Sequence, residues 1–525
     1  MCRCACALVL ALLLGCAGTT APGGERKPPN FLIILADDLG FSDIGCYGGE
    51  ISTPNLDGLA AGGLRFTQFY NTARCWPTRS ALLSGYYAPQ IRMDPPKGRL
   101  PQFAKLLPHE LRPAGYRSYH SGKWHVNGAP KILADGGFDR SYDMTDQNRY
   151  FSPQATREDD RTLPPVARGS GYYATTAIAD HAIKCLKEHA EKHAASPFFS
   201  YLAFISPHFP LHALKEDIDL YRDKYLEGWD VFRERRWKRA KELGIVDCAF
   251  SPRDPNFHPR YFKKEFLDAL GPGEVEATCA WTELTPEQKR FQATKMAIHA
   301  AMVHRMDREI GRVLGQLRTM SALENTVILF LSDNGADATI LVRGDGHDPK
   351  ADPGSAATHL CLGPGWASAS NSPFHLHKVW VHEGGISTPL IVHWPAGIRA
   401  RGELRRTPGH VIDVVPTVLE LASATAIPTD GPKRPGRSLA PSFAQDVGDR
   451  HEFLYFNHEG NRALRVGTWK IVSSRENKDA WELYDLAADR PETKNLADVH
   501  PERVKEMDAR WKALTDEYAR DAAAP

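Results

Sequence analysis

Residues 31–38 read Phe-Leu-Ile-Ile-Leu-Ala-Asp-Asp, an unbroken apolar run that ends in two carboxylates. A half-exposed strand would alternate apolar and polar residues. A continuous run instead suits a strand buried on both faces, as in a parallel sheet. The same signature recurs in FFSYLAFI (198–205), VILFL (327–331) and PLIVHW (389–394), and more weakly in YRSYHS (116–121). Between these runs lie stretches with apolar residues at helical spacing, the longest over 292–320. The alternation predicts an α/β fold, a large mainly parallel or mixed sheet flanked by helices.

The residues just past each run point to function. Asp37 and Asp38 end the first; Ser206, Pro207 and His208 come after the second; Ser332, Asp333 and Asn334 come after the third; Gly122, Lys123, Trp124 and His125 come after the weak one. Ligands of open α/β sheets bind just beyond the carboxyl ends of the strands. Any one of these segments alone reads as a turn. Together they deliver three carboxylates, an amide, a lysine and two histidines to one rim. Asp37, Asp38, Asp333 and Asn334 form an all-oxygen set that suits a hard cation such as calcium or magnesium.

The 525 residues carry a net charge of +1, with 42% hydrophobic and 25% charged positions. Such a balance offers no global attraction to nucleic acid or to an anionic membrane. The leader is different: Arg3 precedes the apolar run ALVLALLLG (7–15) and then Cys16. Residues 1–21 are expected to be a signal peptide. The LLGC ending resembles a lipoprotein cleavage box, with Cys16 as the lipidated residue. The alternative is plain cleavage near Ala17 to Ala21. Either way the protein is expected to be exported, to the periplasm or as an outer-membrane-anchored lipoprotein. Beyond the leader, Cys46, Cys75, Cys185, Cys248, Cys279 and Cys361 lack CxxC spacing, so neither a disulfide scaffold nor a zinc site is indicated.

The surroundings of Cys75 are unusual: ARCWPTRSALLSG (73–85) sets Pro77 and Arg79 beside it and leads into a helix-like stretch. Cys75-Trp-Pro77-Thr-Arg79 resembles the Cys-x-Pro-x-Arg signature of the type I, formylglycine-dependent sulfatases of the alkaline phosphatase superfamily. Further matches occur in family order: NFLIILADDLG (30–40), SGKWH (121–125), SPHFP (206–210), SDNG (332–335), and Lys378 with Glu383-Gly-Gly after it. The stretch from VRGDGHDP to STPLIVHWPAGI further resembles bacterial arylsulfatases.

The resemblance implies that Cys75 is oxidised to formylglycine by a formylglycine-generating or anaerobic sulfatase-maturating enzyme. It implies one calcium ion per chain, held by Asp37, Asp38, Asp333 and Asn334 with residue 75 completing the sphere. The chemistry explains the conversion. A hydrated aldehyde has two hydroxyls on one carbon; one attacks sulfur, and loss of a proton from the other re-forms the carbonyl and expels sulfate. Arg79 would hold the hydrate, at the start of a helix over Ser80–Leu83. Lys123 and Lys378 would hold sulfate oxygens. His125 would assist loss of the second proton, and His208 would be the general acid for the leaving alkoxide. Counting the ion, Arg79 and the two lysines against Asp37, Asp38 and Asp333 gives the site a net charge of +2, which does not choose between sulfate and phosphate esters.

By the same resemblance a catalytic domain spans 29–445, with a helical insertion at 212–290 and a substrate loop at 337–377. Short runs EFLYFN, RALRVG, WKIVSS and WELYDL and a closing helix at 500–520 predict a smaller antiparallel-sheet-plus-helix subdomain over 450–525. His347 and His377 are placed towards substrate contact, and RERRWKRAK (233–241) reads as an exposed helix face. Many relatives carry arginine soon after Glu-Gly-Gly, whereas this chain has Ser387 and Thr388. The expected activity is hydrolysis of aryl or carbohydrate sulfate monoesters. The rivals are a phosphodiesterase or phosphonate monoester hydrolase of the same superfamily, and a non-catalytic envelope protein that binds sulfated glycans.

Overall fold

The computed structural model describes residues 27–254, 257 and 259–524, so the expected signal segment and Cys16 lie outside the described residues. An eleven-stranded mixed sheet forms the centre. From one edge the strands run Glu403–Arg405, Leu64–Tyr70, Ser387–His393, Thr326–Ser332, Asn30–Ala36, Phe198–Ala203, Arg117–Gly122 and Arg140–Asp143. The short strands Arg157–Glu158 and Arg161–Thr162 finish that row, and Gly409–His410 pairs with Leu64–Tyr70 off this path.

The five strands from Thr326–Ser332 to Arg140–Asp143 are mutually parallel, with Ile33 in register with Tyr201 on one side and Leu329 on the other. Ser387–His393 runs antiparallel to both neighbours. Its continuous apolar run reports burial on two faces and says nothing of direction, so the parallel expectation for this strand does not hold. Leu64–Tyr70 is a strand that the apolar pattern does not mark. Arg65 and Gln68 interrupt it, and its pairing shifts register between Phe66 and Phe69.

Asn30–Ala36 shows why the sheet is stable. Leu32, Ile34 and Ala36 join one apolar core and Phe31, Ile33 and Leu35 another, all fully buried. Each such Ile or Leu contributes about 1.5–3 kcal/mol relative to exposure. The first core is roofed by the helices Ala174–Lys192 and Pro286–Thr319. The longer of these starts earlier than its apolar periodicity suggests, because Thr285 and Gln288 form a capping box around Pro286. The second core is covered by Cys75–Ser84, by Val414–Leu421 and by the C-terminal elements.

Those elements are four antiparallel strands in chain order, Leu454–His458, Asn461–Val466, Trp469–Ser473 and Glu482–Asp485, and the helix Pro501–Ala523. Tyr455, Leu464, Ile471, Leu483 and Trp511 share the core that contains Phe31, so this sheet is packed on the first and not tethered to it.

The segment 212–290 carries the helices Lys215–Asp219, Trp229–Glu242 and Lys264–Leu270. Its basic run is only partly an exposed face. Arg236 is 1% exposed and donates to Asp43 and to both oxygens of Glu50, at 2.7–2.9 Å. Arg233 is buried too, donating to the Ser251 carbonyl.

Candidate active site

Parallel strands put their carboxyl ends on one rim, and the four segments singled out in the sequence meet there. Two more arrive by routes that the sequence pattern did not show. Leu64–Tyr70 ends at the same rim and leads through Asn71 to Cys75. Ser387–His393 runs the other way, so its beginning lies on this rim and brings Lys378 with it. The two arrivals are tied together, because the Val379 N–H donates to the Ala73 carbonyl at 2.8 Å.

Cys75 is 4% exposed and is the first residue of the helix Cys75–Ser84, one turn longer at its start than Ser80–Leu83 alone. Thr78 fixes the entry, with its Oγ1 accepting from the Thr72 N–H at 3.1 Å. Arg79, one turn on, is fully buried. Its Nε and Nη2 donate to Asp333 Oδ2 at 3.0 and 2.8 Å, and its Nη1 donates to the Lys123 carbonyl at 2.7 Å.

The two lysines hold three carboxylates between them. Lys123 Nζ lies 2.6 Å from Asp37 Oδ2. Lys378 Nζ lies 2.7 Å from Asp38 Oδ1 and 3.1 Å from Asp337 Oδ2. Asp337, a fourth carboxylate of this cluster, is the residue that sequence reading missed. It sits two positions past Gly335 in the same strand-end loop, which is the signal that could have found it. His208 Nε2 is 3.7 Å from Asp38 Oδ2, and its Nδ1 donates to the Phe209 carbonyl. That bond leaves a bare Nε2 on the neutral ring. His125 packs its ring 5.7 Å from that of Trp76.

Backbone strain collects here. Asp38, Ala73, His125 and Val379 all have φ between 53° and 84°, each at or beside a site residue, as strained backbone at functional sites often does. Gly122 is forced: at φ 119° a Cβ would stand 1.8 Å from the Ala203 carbonyl oxygen, so only glycine lets the chain turn into Lys123.

The electrostatics result from crowding. Burial opposes the charge on Asp37, but the permanent cations around it, Lys123 first and then Arg79 and Lys378, outweigh it and hold the carboxyl below the usual range. Burial pushes Asp38 up to about 6 against the pull of Lys378. Burial and the Asp37 charge push Asp333 up to about 7 against Arg79. Burial raises the Cys75 thiol, yet Lys123 and Lys378 bring it below its ordinary value overall. Both histidines are kept neutral, His208 down to about 4 and His125 well below its ordinary value, by burial first.

The donor set fits a hard divalent cation. Asp37 Oδ1 and Asn334 Oδ1 are buried with no hydrogen-bond partner among the described residues. Asn334 Nδ2 donates to Asp38 Oδ1 at 2.7 Å, which leaves the amide oxygen as its free donor atom. Ligand atoms of Asp37, Asp38 and His208 lie within 4.8 Å of one another. Oxygens crowded out of water and short of positive charge are what calcium takes.

Several expectations find other places. His377 is buried, with its ring 4.8 Å from that of Phe257 and its Nδ1 against Asn371. His347 accepts from the His359 N–H. A positive charge reaches the Ser387 position from elsewhere in the chain. Arg490, beyond the C-terminal sheet, donates to Ser387 Oγ at 3.3 Å and to Glu383 Oε2 at 3.1 Å, while Lys470 lies 3.2 Å from Glu383 Oε1. A recess of about 340 Å³ opens beside Lys123 and His125, lined also by Asn127, Asp143, Gln147 and Arg157.

The sulfatase family model matches residues 29–424, and that of the N-sulphoglucosamine sulphohydrolase C-terminal region matches 374–517. An uncharacterised sulfatase of Schizosaccharomyces pombe is 33% identical, over 93% of each chain. The arylsulfatase of Klebsiella aerogenes is 29% identical, over 77% of this chain and 88% of its own. A solved structure in complex with its substrate D-glucosamine-2-N,6-O-disulfate superposes with a TM-score of 0.63 at 20% identity, over 93% of this chain and all of the other. Six segments meet at the rim that carries Cys75, and these matches show that the chain belongs to the sulfatase family and is a sulfatase enzyme.

Proposed function

We propose that the chain hydrolyses sulfate monoesters of aryl alcohols or carbohydrates, using formylglycine made from Cys75 and a calcium ion held by Asp37, Asp38, Asp333 and Asn334. The observation that carries the reading is the charge balance at the rim. Asp337 joins Asp37, Asp38 and Asp333 against Arg79, Lys123 and Lys378. A divalent cation then leaves the site at +1, not the +2 counted from sequence. With His208 protonated as the general acid the site stands at +2, so the balance favours an anionic ester, and the choice between sulfate and phosphate falls to the turnover comparison below.

A calcium ion held by Asp37, Asp38, Asp333 and Asn334 would supply positive charge that polarises the ester and acidifies the attacking hydroxyl. The formylglycine hydrate supplies one hydroxyl to attack sulfur and a second whose proton loss expels sulfate. The side chains do the rest. Lys123 and Lys378 are buried ammoniums on opposite carboxylates, and both offer N–H groups to sulfate oxygens as charge builds. Arg79 spends its fork on Asp333 and the Lys123 carbonyl, which fixes the helix that presents residue 75. Neutral His125 can accept the proton of the second hydroxyl. His208, beside Asp38, is the candidate acid for the leaving oxygen and takes up its proton as the ester's negative charge enters.

The name of the Klebsiella relative supports aryl esters, and the substrate of the solved structure supports sulfated sugars. The reading includes a maturation enzyme that acts on Cys75, export of the protein, and a lipid at Cys16 or simple signal cleavage. It is tested by coexpression with a formylglycine-generating enzyme and by kcat/KM for matched 4-nitrophenyl sulfate, phosphate and phenylphosphonate. Sulfate favoured at least tenfold supports it. Phosphonate favoured installs the phosphonate hydrolase reading. No turnover by a chain whose residue 75 is converted leaves the glycan-binding reading.

A further inference from the structure

Arg74, the residue before Cys75, carries a guanidinium that no carboxylate among the described residues satisfies at close range. Its Cζ lies 4.8 Å from the ring centroid of Trp76 and 5.7 Å from that of Tyr261. Nη1 reaches the Tyr261 hydroxyl at 3.4 Å, and the ion pair to Glu459 Oε1 is 4.0 Å long. Nε is buried without an acceptor among the described residues. Glu459 is already engaged, accepting from the Tyr261 hydroxyl at 2.7 Å and lying 3.3 Å from Arg260 Nη2. Arg260 repeats the pattern. Its Nη2 also reaches the Glu459 carbonyl at 3.2 Å, and its Nη1 is buried with no acceptor among the described residues.

Two guanidiniums therefore share their nearest carboxylate, with Asp337 a more distant countercharge to Arg74, and two buried donor groups are unspent. A buried donor without an acceptor costs free energy that an incoming acceptor can recover. The three residues come from separate parts of the chain: the entry to Cys75, the later half of the insertion and the C-terminal sheet. The group is not sealed, since the side chains of Arg74, Arg260 and Glu459 are 16%, 15% and 27% exposed. It adjoins the reaction centre, because the ring of Trp76 spans from His125, at 5.7 Å, to His458, at 5.5 Å. A flat aromatic wall and two underpaired forks make a receptor for a planar or tetrahedral anion.

We propose that Arg74 and Arg260 form a second anion subsite beside the sulfate pocket, which takes a second negative substituent, sulfate or carboxylate, on the same saccharide. The proposal rests on the sulfatase reading for the place of the first sulfate. Glu459 is its gate in charge terms: it half-neutralises the pair and competes with the incoming anion.

The test is equilibrium binding by titration calorimetry to the full, calcium-supplied Cys75→Ala chain, which separates binding from turnover. The probes are glucosamine 6-sulfate, glucosamine 2-N,6-O-disulfate and a monosulfated disaccharide containing a uronic acid. At least one doubly charged probe should bind about tenfold or more tightly than glucosamine 6-sulfate, the scale of a charged hydrogen bond. Arg260→Ala should shrink that margin to within about twofold, as should 0.5 M NaCl in part. Glu459→Gln should widen it, an outcome that a purely structural role for the cluster does not give. Thermal unfolding of each variant checks that it is folded, and Arg74→Gln gives a second variant on the other fork. Equal binding of singly and doubly charged probes overturns the proposal, and so does a margin that survives in both arginine variants. Failure of the sulfatase reading shows elsewhere, as loss of sulfate selectivity in turnover by the Cys75-bearing enzyme.

Discussion

Arg79 and Asp333, 254 residues apart in the chain, are joined by two N–H groups donating to a single carboxylate oxygen at 2.8 and 3.0 Å. Both side chains are fully buried. The pair fastens the helix that begins at Cys75 to the end of a central strand, so it positions the proposed nucleophile and a proposed metal ligand together. Arg79→Lys keeps the charge and loses the fork. The expected loss is about 1–3 kcal/mol of stability in chelator-treated protein, read from the urea midpoint. A loss under about 0.5 kcal/mol contradicts a structural role for the fork.

The buried oxygens Asp37 Oδ1 and Asn334 Oδ1, unpartnered among the described residues, make metal content the next test. The purified protein should hold about one calcium per chain by elemental analysis, and Asp37→Ala or Asn334→Ala should lower that at least tenfold. Because the ion binds only the folded chain, chelation should cost about 3 kcal/mol when calcium stands near a hundred times its Kd. Unchanged metal content in both variants refutes the ligand set.

Removing His208 should show in the leaving group. His208→Ala should slow an alkyl sulfate by about a hundredfold and 4-nitrophenyl sulfate by less than about tenfold, since nitrophenolate needs little protonation. Equal losses on both substrates remove His208 as the general acid.

Arg236 and Asp43 are fully buried and are joined by Glu50, whose side chain is 16% exposed. Burial opposes the Glu50 charge, but Arg236 outweighs it and holds the carboxyl below its usual range. A depressed carboxyl stabilises the fold above its unfolded pKa, and that stability is lost as pH falls through the folded value. Arg236→Met leaves both acids without this partner, so unfolding in acid should begin at a higher pH. At pH 7 the variant should lose about 3–5 kcal/mol. An acid transition that does not move contradicts the assignment.

Much of this site was legible because strands buried on both faces advertise themselves. The run ending at Asp37 and Asp38 and the run ending at Asp333 and Asn334 lie side by side in the sheet, so their acidic ends meet. Three things were not legible. The strand Leu64–Tyr70 carries Arg65 and Gln68, which hide it, although it delivers Cys75. The direction of Ser387–His393 is set by its partners, and only its antiparallel course explains how Lys378 reaches the rim. Arg236 sits in a basic run whose other members are mostly solvated, and no local pattern marks the one that turns inward to Asp43. The same limit applies to Arg490, which supplies a positive charge beside Ser387 from about 100 residues further along the chain.

The most direct test of the account is inorganic sulfate released from 4-nitrophenyl sulfate by the chain coexpressed with a formylglycine-generating enzyme, measured beside its Cys75→Ala variant. Peptide mass spectrometry of residue 75 is run on the same samples. The account predicts steady sulfate release by the converted chain and none above background from the variant, with both proteins unfolding at similar temperatures. Sulfate release that persists in Cys75→Ala contradicts it, because the nucleophile must then come from another group.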